Sequence, residues 1–409
     1  MKSFDLIAKL FFVSAVSSYA IHKEVKRDDG QQDSVAKNSY SYAACQYSTD
    51  NVLEGCPDNT LVVDGSGTNS SYFKTIQSAV DTIAYDSPLD YTILILPGIY
   101  NEQVNVTQKT PITLLGVTNN TLSAASNQVT IYRQAANHNA SYSDNVYTAN
   151  LIVAPTYNAS ATGAGPAGYP VAPNTPWGNK NFRVYNIDFD NDYAPYSSGP
   201  SLVLSTAYSY TSFYRCGFYS YQDTIFIGKL GSAFITESII AGQTDFLYGF
   251  GTLWIDKSEL QLRSCGGGII AWKGSNMTQN GGTGTYSSNN FGCYISNSRF
   301  VASNETIYEN SKGKCYLGRN WNNGHRSVLI NNYMDHTINP QGYVKWTSNL
   351  PLESTVLFGE FNSYGEGFNE TARIQGNITT ELTYSDIEKS YSFTKIFGYE
   401  SEWIDFETL

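Results

Sequence analysis

The chain has 409 residues, 41% of them hydrophobic, enough to bury one large core or two ordinary ones, which excludes a disordered chain. Only 15% of residues are charged against 14% aromatic, and 32 Tyr stand beside 34 Gly, a composition of extended strands joined by turns rather than of helices. The formal net charge of −11 leaves no basic face for phosphates, so nucleic acid is excluded as a partner.

Residues 1–20 read as a secretory signal: Lys2 and Lys9 bracket the start, Leu10-Phe11-Phe12-Val13 carries the apolar part, and Ser18-Tyr19-Ala20 offers small residues for cleavage. The apolar run is too short to span a bilayer. Lys26-Arg27 is a dibasic pair, read as the end of a short propeptide over residues 21–27. Residues 28–60 are a polar leader, and the folded domain is expected over 61–409. Nine N-x-Ser/Thr sequons, at Asn69, Asn105, Asn119, Asn139, Asn158, Asn276, Asn304, Asn369 and Asn377, fit a secreted, extracellular glycoprotein. No second apolar stretch reads as a membrane span, and a free, soluble monomer is expected.

The first regular element is Phe73–Ile83, where Phe73, Ile76, Val80 and Ile83 recur at helical spacing. Tyr91–Pro97 then reads as a buried strand ending at a Pro-Gly turn. From there the chain repeats short β-branched and aromatic runs divided by Gly, Asn, Asp and Ser. They are Ile112–Leu115, Val129–Tyr132, Leu151–Val153, Phe182–Phe189, Leu202–Ser205, Ser212–Phe218, Thr224–Ile227, Ala233–Ile240, Thr252–Ile255, Cys293–Phe300 and Ser327–Met334. Several recur about every twenty residues, the rhythm of a solenoid in which each coil adds one strand to each of several stacked parallel sheets. A sandwich would show more closely spaced hairpins. The fold class predicted is therefore all-β, a single-stranded parallel β-helix with a short N-terminal helix, its last segment Ser385–Leu409 packing back as helix and loop. Two excursions, 154–181 and 274–290, leave the coil where binding faces are commonly built.

The six cysteines, Cys45, Cys56, Cys216, Cys265, Cys293 and Cys315, form no C-x-x-C pair, which argues against a structural zinc site. Cys45 and Cys56 are the expected local disulfide. Cys293 and Cys315 are 22 residues apart, about one coil, and are expected to stack within disulfide reach.

Two segments carry candidate chemistry, Tyr221-Gln222-Asp223-Thr224 and Gly242-Gln243-Thr244-Asp245-Phe246-Leu247-Tyr248-Gly249. Asp223 and Asp245 are 22 residues apart, so neighbouring coils would bring them within a strand spacing of roughly 4.8 Å. Two carboxylates that close do not ionise together, which separates an acid from a base or nucleophile. The bland alternative is a pair of turn-forming aspartates. In Tyr316-Leu317-Gly318-Arg319-Asn320-Trp321 an arginine able to hold a carboxylate bidentately stands beside an aromatic able to stack on a sugar.

With these segments on the page, the sequence resembles the pectin methylesterases. The family's ordered elements stand here as Gly98-Ile-Tyr-Asn-Glu102, Tyr221–Thr224, Gly242–Gly249 and Leu317–Trp321, supported by Phe213-Tyr-Arg-Cys216, Gly342-Tyr-Val-Lys-Trp346 and Phe358-Gly-Glu-Phe361. The resemblance runs from about residue 60 to the end and implies a right-handed β-helix that hydrolyses the methyl esters of pectin without cofactor or metal. It implies Asp245 as nucleophile, Asp223 as general acid and then base, Gln222 as oxyanion donor and Arg319 as the group that orients Asp245. Phe246, Tyr248, Trp321 and Gln243 are then expected around the sugar. Two residues depart from the family pattern: Asn320 replaces a proline, and Pro200 stands where counting along the chain puts a second oxyanion glutamine. Proline has no N–H and no side-chain donor, so either the oxyanion hole is incomplete or Gln243 or a backbone amide replaces the glutamine.

A serine hydrolase is disfavoured, since no Gly-x-Ser-x-Gly turn is present. β-Helical lyases and glycosidases would need a calcium-binding carboxylate cluster or adjacent paired aspartates. From another class, a weakened wall-binding glycoprotein would keep the fold and lose the chemistry.

Overall fold

The computed structural model describes residues 42–163, 174–274, 291–347, 352, 355–398 and 401–409. The expected signal, propeptide and start of the leader, and most of the second excursion, lie outside the described residues.

Parallel strands stack into three sheets along a common axis, eleven in sheet A and eight each in sheets B and C. One coil, for example, runs Tyr210–Tyr214 in sheet A, Gly217–Tyr219 in sheet B and Ile225–Ile227 in sheet C. Its neighbour runs Ser232–Thr236, Ile239–Thr244 and Leu247–Gly249. Parallel strands joined by crossovers close right-handedly because of strand twist. The interior is a continuous apolar column in which Ile93, Leu114, Val184, Phe213, Ile235, Ile255, Ile295 and Leu329 are all buried.

Five runs expected as single strands are each two strands. Phe182–Phe189, Ser212–Phe218, Ala233–Ile240, Cys293–Phe300 and Ser327–Met334 all bend between sheets A and B at one residue with positive φ: Asn186 (51°), Arg215 (53°), Glu237 (50°), Asn297 (48°) and Asn331 (56°). Each corner takes only a few polar or small residues before the apolar run resumes, so hydrophobicity alone does not reveal the turn. The corners are stitched from coil to coil. Asn331 donates to Asn297 Oδ1 at 3.3 Å and Asn362 to Asn331 Oδ1 at 2.9 Å. Inside them, the backbone N–H groups of Cys216, Ser238 and Ser258 donate to the hydroxyls of Ser238, Ser258 and Ser298. These bonds satisfy amides that the bend removes from the sheet ladders.

The helix expected over 73–83 is Ile76–Thr82, capped by the Thr75 hydroxyl and pinned by Glu102, which accepts from the N–H groups of Ile76 and Gln77. The leader does not stay outside the fold. Helix Tyr42–Gln46 lies on the outer face of sheet A, with Cys45 buried and Gln46 donating to Gly116 O and Asn186 Oδ1. The same face receives the C-terminal segment, where Phe393 meets Phe234 and Trp254 edge-on and Trp403 stacks on Tyr210. The N-terminal helix and the last segment thus cover an aromatic sheet face that would otherwise be exposed.

Cys45 and Cys56 form the expected disulfide, with Cα atoms 4.4 Å apart. The second bridge is not the one expected: Cys265 pairs with Cys315 at 4.7 Å, while Cys293 and Cys216 are buried free thiols. Counting one coil from Cys293 fails because helix Glu305–Asn310 lengthens that coil. Cys293 therefore stacks on Ser327 inside sheet A, whereas Cys315 lies between sheets B and C, bridged to Ile338. Peptide mapping of the non-reduced protein is expected to link Cys265 to Cys315, with Cys216 and Cys293 alkylated only after unfolding. A Cys293–Cys315 peptide would overturn this arrangement. Cys265→Ser with Cys315→Ser should lower stability by about 2–4 kcal/mol in denaturant titration.

Candidate active site

Asp223 and Asp245 occupy the corner between sheets B and C in consecutive coils, both in the left-handed region, with φ 60° and 46°. They are turn aspartates and a carboxylate pair at once, since Asp is among the few residues with a side chain that tolerate this conformation. Their coils are locked in register: Gln222 bridges Thr244, the Asp223 N–H donates to Thr244 O at 3.1 Å, and the Asp245 N–H donates to Gly268 O at 2.6 Å. The third coil turns this corner at Gly267, φ 65°. A Cβ there would lie 2.7 Å from the Arg319 guanidinium, so glycine clears the space that the arginine occupies.

Arg319 comes from the strand Gly318–Arg319 and reaches back to Asp245. Its Nε donates to Oδ1 at 2.9 Å and its Nη2 to Oδ2 at 2.5 Å, a two-pronged fork. Burial pushes both carboxyls up, and the neighbours separate them. Asp223 is driven well above the usual carboxylate range by burial and then by the charge of Asp245. Asp245 is raised by burial and pulled back by the hydrogen bonds and charge of Arg319. Of the two, Asp223 is therefore the one pushed harder toward its protonated form, while the Arg319 fork favours the ionised form of Asp245.

The remaining expected residues divide. Trp321 stands in a cluster with Tyr248, Phe250 and Trp346, stacked on Trp346 at 15° with centroids 6.2 Å apart. Phe246 does not line the site. It is fully buried in the main column, where it fills the place a Cβ on Gly242 would need. Tyr248 is 2% exposed and packs beneath Trp321 at 5.7 Å, so it supports the cleft wall instead of forming it. After the Asp245 corner Phe246 and Leu247 enter the main column and Tyr248 turns to the opposite face of sheet C, so both expected residues go to packing on different sides. Gln243 turns its amide oxygen to the Ser197 N–H at 3.2 Å. Pro200 does fall opposite Gln222: the Ser201 N–H donates to Gln222 O at 3.0 Å, the pattern by which the Asp223 N–H on Thr244 O sets Gln222 against Thr244, and the register slips by one residue where the Val203 and Leu204 N–H groups share Thr224 O. The Ser201 hydroxyl is spent on Ser220, so Gln222 is the side-chain amide beside Asp223 at this corner.

Two residues that the sequence reading did not single out complete the surroundings. Trp346 receives the Arg319 guanidinium on its ring face at 3.9 Å. Lys273 is a fully buried lysine with Nζ 3.1 Å from the Trp321 ring centroid. Its signal was legible as a lysine directly after the apolar run Ile269–Trp272. Among the described residues no group of three or more His, Cys, Asp or Glu side chains converges to hold a metal ion.

Comparison with known proteins follows the same lines. The family model described as Pectinesterase matches residues 169–397. A probable pectinesterase A of Neosartorya fischeri is 29% identical over 350 residues, 85% of this chain and 90% of the relative. A pectinesterase of Daucus carota is 27% identical over 78% of this chain and 86% of its own. The crystal structure of the pectin methylesterase from Aspergillus niger superposes with a TM-score of 0.64 at 23% identity, covering 86% of this chain and 98% of that one.

Removing the cation from the buried pair gives a signed expectation. Arg319→Met should raise the Asp245 carboxyl further, and an acid raised in the folded state loses stability as pH climbs above its unfolded value. The variant should therefore be less stable than the parent by about 3 kcal/mol near neutral pH, the deficit shrinking below the ordinary carboxylate range. Denaturant titrations across pH that show a pH-independent deficit would contradict the pairing.

Proposed function

Because the chain belongs to the pectinesterase family, we propose that it hydrolyses methyl esters of polygalacturonate, releasing methanol, through an acyl-enzyme on Asp245. The observation that carries this reading is the Arg319 fork, which keeps Asp245 anionic one coil from a carboxyl that keeps its proton.

An Asp245 oxygen attacks the ester carbonyl, whose oxygen takes up negative charge beside the Gln222 amide. Collapse breaks the bond to the methoxy oxygen, which leaves as methanol with the proton of Asp223. Asp223, now a carboxylate, takes a proton from water as that water attacks the galacturonyl carbonyl. Asp245 departs as carboxylate and Asp223 is again protonated, which restores the starting state. Arg319 holds the charge of Asp245 before the attack and again as it departs, and Trp321 supplies a face for the sugar.

Secretion and glycosylation belong to the same reading. Asn69, Asn119, Asn139, Asn158, Asn304, Asn369 and Asn377 are exposed, as glycan acceptors must be, while Asn105 is half-buried. Among the described residues no helix is long and apolar enough to cross a membrane.

Methanol release from highly methylated pectin is expected to be unchanged by chelator, because the nucleophile and acid are both carboxylates. Activity lost in chelator and restored by calcium would defeat the mechanism, and pectin binding with no methanol would favour the non-catalytic wall-binding reading. Asp245→Asn should reduce turnover by several orders of magnitude and Asp223→Asn by about 10²–10⁴-fold, with the fold intact by circular dichroism.

Gln222→Ala is expected to lower turnover by about 10²–10³-fold, the usual loss of one oxyanion donor. Pro200→Gln should raise turnover, because residue 200 lies against Gln222 and proline offers no side-chain donor there. A Pro200→Gln enzyme no faster than the parent would refute that role for the position.

A further inference from the structure

At the ends of successive sheet C strands, cationic and aromatic side chains follow one another from coil to coil. Lys229 comes after Ile225–Ile227, Phe250 after Leu247–Gly249, Lys273 after Ile270–Trp272, Trp321 after Gly318–Arg319 and Trp346 after Tyr343–Val344. These five strands are consecutive neighbours in the sheet, so their ends are stacked by the ladder itself. Lys229 Nζ is 5.9 Å from the Phe250 centroid, and Lys273 Nζ is 4.2 Å from Phe250 and 3.1 Å from Trp321. Trp321 stacks on Trp346, and Trp346 carries the Arg319 guanidinium at 3.9 Å. The column therefore ends on the arginine that grips Asp245.

Lys273 is the buried cation in the middle. A lysine taken wholly out of water is costly unless its surroundings answer the charge. Two ring faces do so here, and the negative charge of Asp144 acts in the same sense. Burial and the nearby Lys229 bring its ammonium down to about 6. Its backbone N–H is fixed to Gly249 O at 3.0 Å, and the Trp321 N–H to Trp272 O at 3.3 Å, so the lysine and the indole hang from adjoining residues of one strand end. Packing alone would be served equally well by an apolar side chain of the same length.

We propose that Lys273 is a positioning residue for the ester hydrolysis: clamped between Phe250 and Trp321, its ammonium sets the plane of Trp321. Through the Trp321–Trp346 stack it also sets the seat of Arg319 on Asp245. The kinetic part of this inference rests on the esterase reading above, whereas the placement of the two indoles does not.

The test compares Lys273→Met and Lys273→Arg with the parent, about one pH unit below the point at which the ammonium loses its proton. Lys273→Met should raise KM for methylated pectin and lower kcat, with a combined loss of about tenfold or more in kcat/KM. Its Tm should hold or rise, since the charge no longer has to be buried. The near-UV circular dichroism of the stacked indoles should weaken, and Lys273→Arg, which keeps the cation, should restore both signal and kinetics in large part. Parent-like kinetics and dichroism in Lys273→Met would overturn the proposal, as would an arginine variant no better than the methionine one. Should Lys273→Met fail to fold, Phe250→Leu, which removes one ring and leaves the cation, should show a smaller loss in the same direction. Parent-like behaviour there would be equally fatal. If the parent releases no methanol, the dichroism of these variants still decides the placement, so the two failures are distinguishable.

Discussion

A parallel β-helix turns from one sheet to the next only where a residue leaves the extended conformation, and in this chain the residue that does so is repeatedly left-handed. Asn186, Arg215, Glu237, Lys257, Asn297, Asn331 and Asn362 mark one corner, and Asp223, Asp245 and Gly267 another. Because strands above and below are hydrogen-bonded in register, a corner in one coil forces a corner in the next. The chemistry depends on that constraint. Two aspartates placed at successive turns of the same corner have no freedom to separate, and the apolar column behind them removes the water that would let both ionise.

The site gathers charge in a place that resists it, and the balance comes from neighbours more than from solvent. Arg319 answers Asp245 with a fork, and Asp223 takes the proton that the pair cannot both give up. Lys273 and Lys229 add buried positive charge, answered by ring faces and, for Lys273, by the carboxylate of Asp144. The same residue types serve architecture elsewhere. Glu360 and Arg373 form an enclosed pair at 3.1 Å, and Arg373 also donates to Asn339 O at 3.0 Å, which ties helix Glu370–Gly376 to the last coils. There every donor is turned to protein, whereas the Asp245–Arg319 pair is partly open, with the arginine side chain 22% exposed.

Much of this was legible along the chain. A strand rhythm of about twenty residues, Asp223 and Asp245 one coil apart, and an arginine beside a tryptophan are local facts of order and spacing, and they sufficed for the solenoid and for the acidic pair. Other features were decided by the coil as a whole. The sheet A–B corners stayed hidden because they interrupt an apolar run only briefly, by Asn186 alone or by a short polar stretch such as Thr236-Glu237-Ser238, which reads as polar positions in a continuous strand. The partner of Cys315 depends on how many residues its coil contains, and a short helix changed that number. Phe246 and Tyr248 turned to packing because the left-handed corner at Asp245 resets the alternation of side chains that follows it. Sequence by itself determined which residues can turn, pair or ionise, since those are properties of single side chains and short spacings. Only the tertiary structure decided that Arg319, Trp346, Trp321 and Lys273 form one column, because stacking joins residues up to 73 positions apart through the rise of the coil.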